Sequence, residues 1–212
     1  MSRACSRRFS RLSLSLLNAL LIRWDRFASA RSRLRHLPPR LLAHIGDAET
    51  LLDVGAGDGR LAQALMKGRP GVLITGVDVC ARAEAAIPVL RYDGQRLPFA
   101  DNSFDLVLLI DILHHTEDPA QVLAEASRVA RRALLIKDHY WENRWDHWLL
   151  SVSDYLGNRA YEVPLPYAFL RLEEWSHLFR ASGLTVISMD RFRFSALDRC
   201  KQVVFLVEGC LP

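Results

Sequence analysis

From residue 50 onward the chain alternates between two hydrophobic rhythms. Short apolar runs at Thr50–Val54, Val72–Asp78, Val89–Tyr92, Phe104–Asp111 and Ala133–Lys137 predict buried strands. Between them, Arg60–Lys67 and Pro119–Ala130 space their apolar residues as helices do. Strands that are apolar on both faces and separated by helices predict a parallel sheet covered on both sides by right-handed crossovers. Upstream, "LPPRLLAHIG" predicts a short helix opened by Pro38–Pro39 and stopped by Gly46. Downstream the rhythm changes. After a helical "LEEWSHLFRASG", two strand-like runs, "LTVISMDRFRF" and "KQVVFLVE", follow with no helix between them. That arrangement predicts an antiparallel hairpin at the sheet edge. The expected class is therefore α/β, a doubly wound, mostly parallel seven-stranded sheet with an antiparallel C-terminal hairpin.

Composition fits a globular protein, half hydrophobic and a quarter charged over 212 residues. The charge distribution is less ordinary. Residues 1–40 hold ten arginines and one acid, a net of +9, and the remaining chain is net −5. The basic balance thus belongs to an N-terminal helical extension (1–40), and the body (41–212) is acidic. An acidic body with no appended recognition domain argues against nucleic acid as a partner. In the extension, "RRFSRLSLSLLNALLIRWDRF" sets a leucine-rich run, Leu12 to Ile22, between arginines. The run is shorter than the roughly 20 apolar residues a bilayer span needs. Three readings stay open: a helix packed on the domain, a basic amphipathic helix making peripheral membrane contact, or an organelle-targeting segment ending at "FASA". Cys5, Cys80, Cys200 and Cys210 form no C-x-x-C pair, so they read as reduced thiols of a cytoplasmic protein, and no metal site is expected.

The chemistry concentrates in "LLDVGAGDGRLAQAL", where a buried strand runs into three glycines and then a helix. A phosphate-binding G-x-x-x-x-G-K-[ST] run is absent from the chain, and "GAGDGR" puts Arg60 where a dinucleotide loop needs its third glycine. A pyrophosphate would also meet Asp53 and Asp58 at close range. A ligand with an ammonium and a sulfonium would be attracted instead, and S-adenosylmethionine (SAM) is such a ligand.

"LLDVGAGDG" resembles motif I of the class I SAM-dependent methyltransferases, an acid followed by G-x-G-x-G. "GVDV" (Gly76–Val79) and "YDGQRLPFADNSFDLVLLIDILHHTEDP" (Tyr92–Pro119) resemble the next motifs, in order, of the small-molecule, ubiquinone-biosynthesis-like branch. The resemblance implies a Rossmann-like fold, SAM as cofactor, and a site built from Asp53, Gly55, Ala56, Gly57, Gly59, Asp78, Val79, Asp93 and Gly94. Within it, Asp78 would bond the ribose hydroxyls, Asp93 would meet the adenine amino group, and the Gly94 backbone would lie beside the ring. Two departures stand out. Only 15 residues separate Asp78 from Asp93, which leaves room for little more than a turn or two of helix, and "VARRALLIKDH" replaces the family's Pro-Gly-Gly before the fifth strand.

Methyl transfer needs a base only where the acceptor must lose a proton. Candidates cluster after the fourth and fifth strands: Asp111, His115, Asp138 and His139, with His114 and Tyr140 beside them. An aromatic-rich insertion at about residues 139–167 reads either as the lining of a pocket for a hydrophobic or aromatic acceptor or as the buried face of a lid helix. The expected function is SAM-dependent methylation of a small molecule. A non-catalytic methyltransferase-like module that binds SAM or supports a partner enzyme is the alternative.

Overall fold

The computed structural model describes residues 31–80, 84–158, 166–195, 198 and 200–209. The leucine-rich run at 12–22, with its three readings, lies outside them, as do Cys5 and Cys210. No described helix is long and apolar enough to cross a membrane.

Seven strands form one sheet in the order β3-β2-β1-β4-β5-β7-β6. They are β1 (Thr50–Val54), β2 (Leu73–Asp78), β3 (Val89–Arg91), β4 (Phe104–Ile110), β5 (Ala130–His139), β6 (Leu184–Phe192) and β7 (Gln202–Gly209). β3, β2, β1, β4 and β5 run parallel, while β7 pairs antiparallel with both β5 and β6. The doubly wound sheet and its C-terminal hairpin stand as expected. Strand order reverses between β1 and β4, so ligand-binding loops belong at the carboxyl ends there.

Helices cover both faces. They comprise α1 (residues 31–45), α2 (Arg60–Gly68), α3 (Pro119–Val129), α4 (Arg144–Asn158) and α5 (Leu172–Ala181), with a 3-10 turn at Leu113–His115. One core joins Leu52, Val54, Val107 and Leu109 to α3 and to Trp175 and Phe179 of α5. The other joins Leu51, Leu106, Leu108 and Leu135 to α1 and α2. Adjacent strand residues thus feed opposite cores, which is why β1 and β4 read as unbroken apolar runs rather than alternating ones.

Three segments differ from the sequence expectation. The first helix does not open at Pro38–Pro39 but runs through them from residue 31, so the boundary drawn at residue 40 falls inside it. Leu37, Leu41 and Ile45 are fully or almost fully buried, and this apolar stripe outweighs the loss of two backbone donors. Second, α3 passes straight into β5 with no glycine turn, and the pairing with β4 shifts register between Phe104 and Leu106 to absorb the join. Third, the insertion does contain a helix, α4, but Trp145 (73% exposed), Trp148 (54%) and Tyr155 (48%) point outward. The buried side of α4 is provided by Leu150 instead, and Tyr140 is the buried aromatic at the start of the insertion. Residues 84–88, in the shortened β2–β3 connection, hold turns and bends rather than helix.

Trp175 ties α5 to the sheet. It is 1% exposed, lies against Phe179 and Phe205 (5.6 and 5.8 Å between centroids), and donates its indole N–H to the His139 carbonyl at 3.2 Å. Trp175→Ala is expected to lower unfolding stability by about 3–5 kcal/mol, the range for emptying a large aromatic site. Urea denaturation of the two proteins checks it.

Candidate active site

β1 ends in a loop whose glycines do separate jobs. Gly55, Gly57 and Gly59 take φ values of 75°, 58° and 68°, which side chains adopt at a cost. Gly55 also lies so close to Ile112 that an added Cβ would fall 2.4 Å from its Cγ2. At Gly59 the same atom would meet Ile87 at 2.7 Å, with backbone behind it. The loop is therefore pressed between the segment after β4 and the segment leading into β3. Ala56 sits opposite Gly76, whose missing side chain lets it approach.

Asp78 fixes this loop. Its Oδ2 accepts the Gly57 N–H at 2.8 Å, and its Oδ1 accepts the Cys80 N–H at 2.8 Å. Each carboxylate oxygen has two lone pairs, so both keep capacity to accept a hydroxyl. Beyond β3, Asp93 turns the chain by accepting the Gln95 and Arg96 N–H groups on Oδ1, and these bonds hold its pKa below the usual range. Gly94, at φ 81°, passes 3.1 Å (measured to an added Cβ) from the half-exposed Val79. Val54, Tyr92, Gly94, Gln95 and Leu97 border a small hollow there, against Val122 and Glu125 of α3. Backbone amides at a glycine turn and a carboxylate with spare acceptor sites suit a nucleoside carrying an amino-acid tail. SAM is such a ligand.

Asp53 is 3% exposed beneath the loop. Burial pushes its pKa up to about 7, Arg33 of α1 opposes the shift, and Asp78 adds to it.

A second cluster begins one strand further on. Asp111, at the end of β4, is held in the left-handed region at φ 58°, its N–H donating to the Lys137 carbonyl at 2.8 Å. Its carboxylate bonds the Lys137 ammonium and pairs with Arg33 Nη2 at 3.1 Å. Burial works against that charge, but Lys137 and then Arg33 hold the carboxyl well below its ordinary range. Lys137 itself is 1% exposed and pairs with this carboxylate.

Asp138 and the histidines follow. Asp138, with no exposed surface, accepts the His139 N–H at 2.7 Å and lies 2.6 Å from His114 Nδ1 on the same oxygen. A carboxylate only accepts, so His114 Nδ1 carries the proton. Burial works against charge on His114, yet Asp138 outweighs it and lifts the pKa to about 10. The reciprocal effect, again against burial, keeps Asp138 ionised. His139 Nδ1 faces Asp111 Oδ1 and Asp138 Oδ1, each at 3.6 Å, and is buried without a hydrogen-bond partner. Burial and then Lys137 lower its pKa, so the ring is neutral near pH 7. His115 stacks beside His114 (4.0 Å between centroids) and turns Nε2 towards Asp154 of α4.

The structure therefore gathers the expected residues into two neighbouring groups. Asp53, the glycine loop, Asp78, Val79, Asp93 and Gly94 lie along the ends of β1 to β3; Asp111, His115, Asp138 and His139 lie at the ends of β4 and β5. Asp111 and Asp138 are committed to partners and do not stand free as bases. Three residues of the site were absent from the sequence expectation: Arg33, Lys137 and Asp154. Lys137 had a signal, a lone lysine closing the otherwise apolar run "ALLIK". Arg33 and Asp154 had none, since each reaches the site from a helix far away in the chain.

Residues 52–133 match the methyltransferase domain family. An uncharacterized methyltransferase of Mycobacterium marinum is 34% identical over 117 residues, which is 51% of this chain and 46% of that protein. The chain thus spans about half the length of the curated relatives it matches. Among solved structures, a SAM-dependent methyltransferase from Aquifex aeolicus is similar at a TM-score of 0.59 and 22% identity, over 83% of this chain and 92% of that one. The Burkholderia thailandensis 1,6-didemethyltoxoflavin-N1-methyltransferase, solved with its acceptor and S-adenosylhomocysteine, is similar at 0.65 and 17%, over 99% and 92%. These two likenesses are of fold. The matched methyltransferase domain, the motif order and the strand order resemble those of the class I SAM-dependent methyltransferases, and together they support SAM as the cofactor.

Proposed function

We propose that the protein transfers the methyl group of SAM to a small-molecule acceptor of hydrophobic or aromatic character. The observation that carries this reading is the adjacency of the two groups: a nucleoside-binding strand end at Asp78 and, beside it, an oriented neutral imidazole at His139. SAM supplies an electrophilic methyl group on a sulfonium that departs as a neutral thioether. The residues contribute position, charge and dryness, and orientation alone can account for about 7–11 kcal/mol of a barrier in favourable cases.

Each residue then has a role. Asp78 accepts the ribose hydroxyls and holds the Gly55–Gly59 loop through the Gly57 N–H. Asp93 receives the adenine amino group on the oxygen its turn leaves free, and Val79 and the Gly94 backbone flank the ring. The Gly55, Ala56 and Gly59 segment gives the ligand's tail close access to the backbone, and Asp53 faces its ammonium. His139 takes the acceptor's proton: Asp111 and Asp138 draw the ring hydrogen to Nδ1, leaving Nε2 as the lone pair. Lys137 keeps Asp111 ionised, and Asp138 orients rather than reacts.

Acceptor character is supported by what surrounds this end. Phe169 stacks on His114 at 4.9 Å, and Phe194 lies beneath the Lys137 ammonium at 5.6 Å. An open cleft of about 520 Å³ runs past Tyr140, Arg191, Phe192 and Arg193 at the carboxyl ends of β5 and β6. It is open enough for a small molecule to enter from the strand-end side.

Two measurements follow. A panel of phenolic and heteroaromatic acceptors, assayed with methyl-labelled SAM, should give turnover that His139→Gln lowers about 10²–10⁴-fold while SAM affinity stays within twofold. Equal loss of SAM affinity and turnover would remove the base role. The second concerns Asp53, whose neighbours are Arg33 on α1 and Asp78 on β2. With a pKa near 7 it is ionised above and neutral below that value, so SAM, a cation, should bind about fivefold more weakly at pH 6 than at pH 7.5. Asp53→Asn should flatten that dependence.

A further inference from the structure

We propose that His114 Nε2, His115 Nε2 and Asp154 Oδ1 form a binding site for a divalent transition-metal ion of the zinc class, which clamps α4 onto the strand ends. His114 and His115 are consecutive on the 3-10 turn after β4, and both rings turn towards α4. Nε2 of His114 lies 3.8 Å from Asp154 Oδ1, and Nε2 of His115 lies 3.6 Å from the same oxygen. All three ligand atoms fall within 4.8 Å of one another. These separations exceed a hydrogen bond. They approach the edges of a tetrahedron, about 3.3 Å for ligands 2.0–2.1 Å from zinc. Small ring rotations would close the remainder.

The surroundings have the form that metal-bound histidines require. A ligating imidazole passes its other N–H to a carboxylate, which fixes the tautomer and sharpens the lone pair. His114 does this with Asp138 at 2.6 Å. The side chains are enclosed, at 2% exposed for His114, 17% for His115 and 7% for Asp154. Asp138 Oδ2 is also buried with no hydrogen-bond partner among the described residues. Two nitrogens and one carboxylate oxygen are a donor set that suits zinc, cobalt or nickel better than calcium or magnesium. The ligands do not follow a finger-like spacing, and the third arrives from a helix 39 positions beyond His115.

A clamp also explains how α4 is held. Much of its apolar surface, at Trp145, Trp148, Val152 and Tyr155, faces solvent instead of the core. A metal bond through Asp154 would fasten the helix beside the reacting end without apolar burial. Without metal, a proton on His114 Nε2 supplies the positive charge between Asp138 and Asp154.

The test uses the full chain, stripped with chelator and titrated with Zn²⁺ by calorimetry and with Co²⁺ by visible absorption. Neither readout needs turnover or SAM, so it stands apart from the methyltransferase reading. One equivalent of Zn²⁺ is expected, with a Co²⁺ ligand-field band of a four-coordinate nitrogen–oxygen site. Asp154→Asn and His115→Gln should each weaken binding tenfold or more, and Asp138→Asn about 10–100-fold. His177→Gln, on the exposed side of α5, should leave it unchanged. Circular dichroism identifies any variant that fails to fold, and the other ligand variant then decides. Absence of stoichiometric uptake by the folded chain, or uptake indifferent to the ligand variants, overturns the proposal and leaves the protonated His114 in that place.

Discussion

The ion cluster of Lys137, Asp111 and Arg33 is the constraint on which the arrangement of this site depends. A lysine with 1% exposure at the end of a central strand cannot remain charged without a carboxylate. Asp111 supplies it from the neighbouring strand and adopts a left-handed backbone, at φ 58°, to do so. Truncating one member would leave the other charge buried, the situation that makes broken internal pairs costly. The same carboxylate reaches Arg33, so the first helix is tied to the carboxyl ends of the central strands. In one step the cluster sets the exit of β4, the entry of the His114–His115 turn and the seat of α1.

From that point the division of labour along the carboxyl edge follows. Towards β2 and β3, backbone amides and carboxylates with spare lone pairs are suited to a nucleoside. Towards β5, carboxylates are spent on imidazoles. Asp138 is shared between His114 and the backbone of His139, so the two rings are set by one buried charge. Trp175 closes the far side through the His139 carbonyl, linking the packing of α5 to the end of β5.

The central strands were legible in the sequence because polar chemistry marks their ends: the glycines after β1, Asp78 closing β2, the Asp111–His115 run after β4. The candidate cofactor residues were readable for the same reason, since they lie in short contiguous motifs. What was not legible shares one property. Arg33, Lys137 and Asp154 act through contacts between elements distant in the chain, and local pattern carries no record of such contacts. The first helix was misjudged for a related reason. Pro38–Pro39 reads as a start, yet the burial of Leu37, Leu41 and Ile45 carries the helix through it. The outward aromatics of α4 were equally hidden, because periodicity shows a stripe without showing what it faces.

Whether the strand ends at Asp78 bind SAM is decided by calorimetry of SAM with the full chain and with Asp78→Ala, using NAD as a control ligand. Micromolar SAM binding that weakens tenfold or more in the variant is expected, because ribose contacts and the Gly57 anchor would be lost together, with NAD giving no heat. A folded protein that binds no SAM, or binds it equally well without the Asp78 carboxylate, would contradict that expectation.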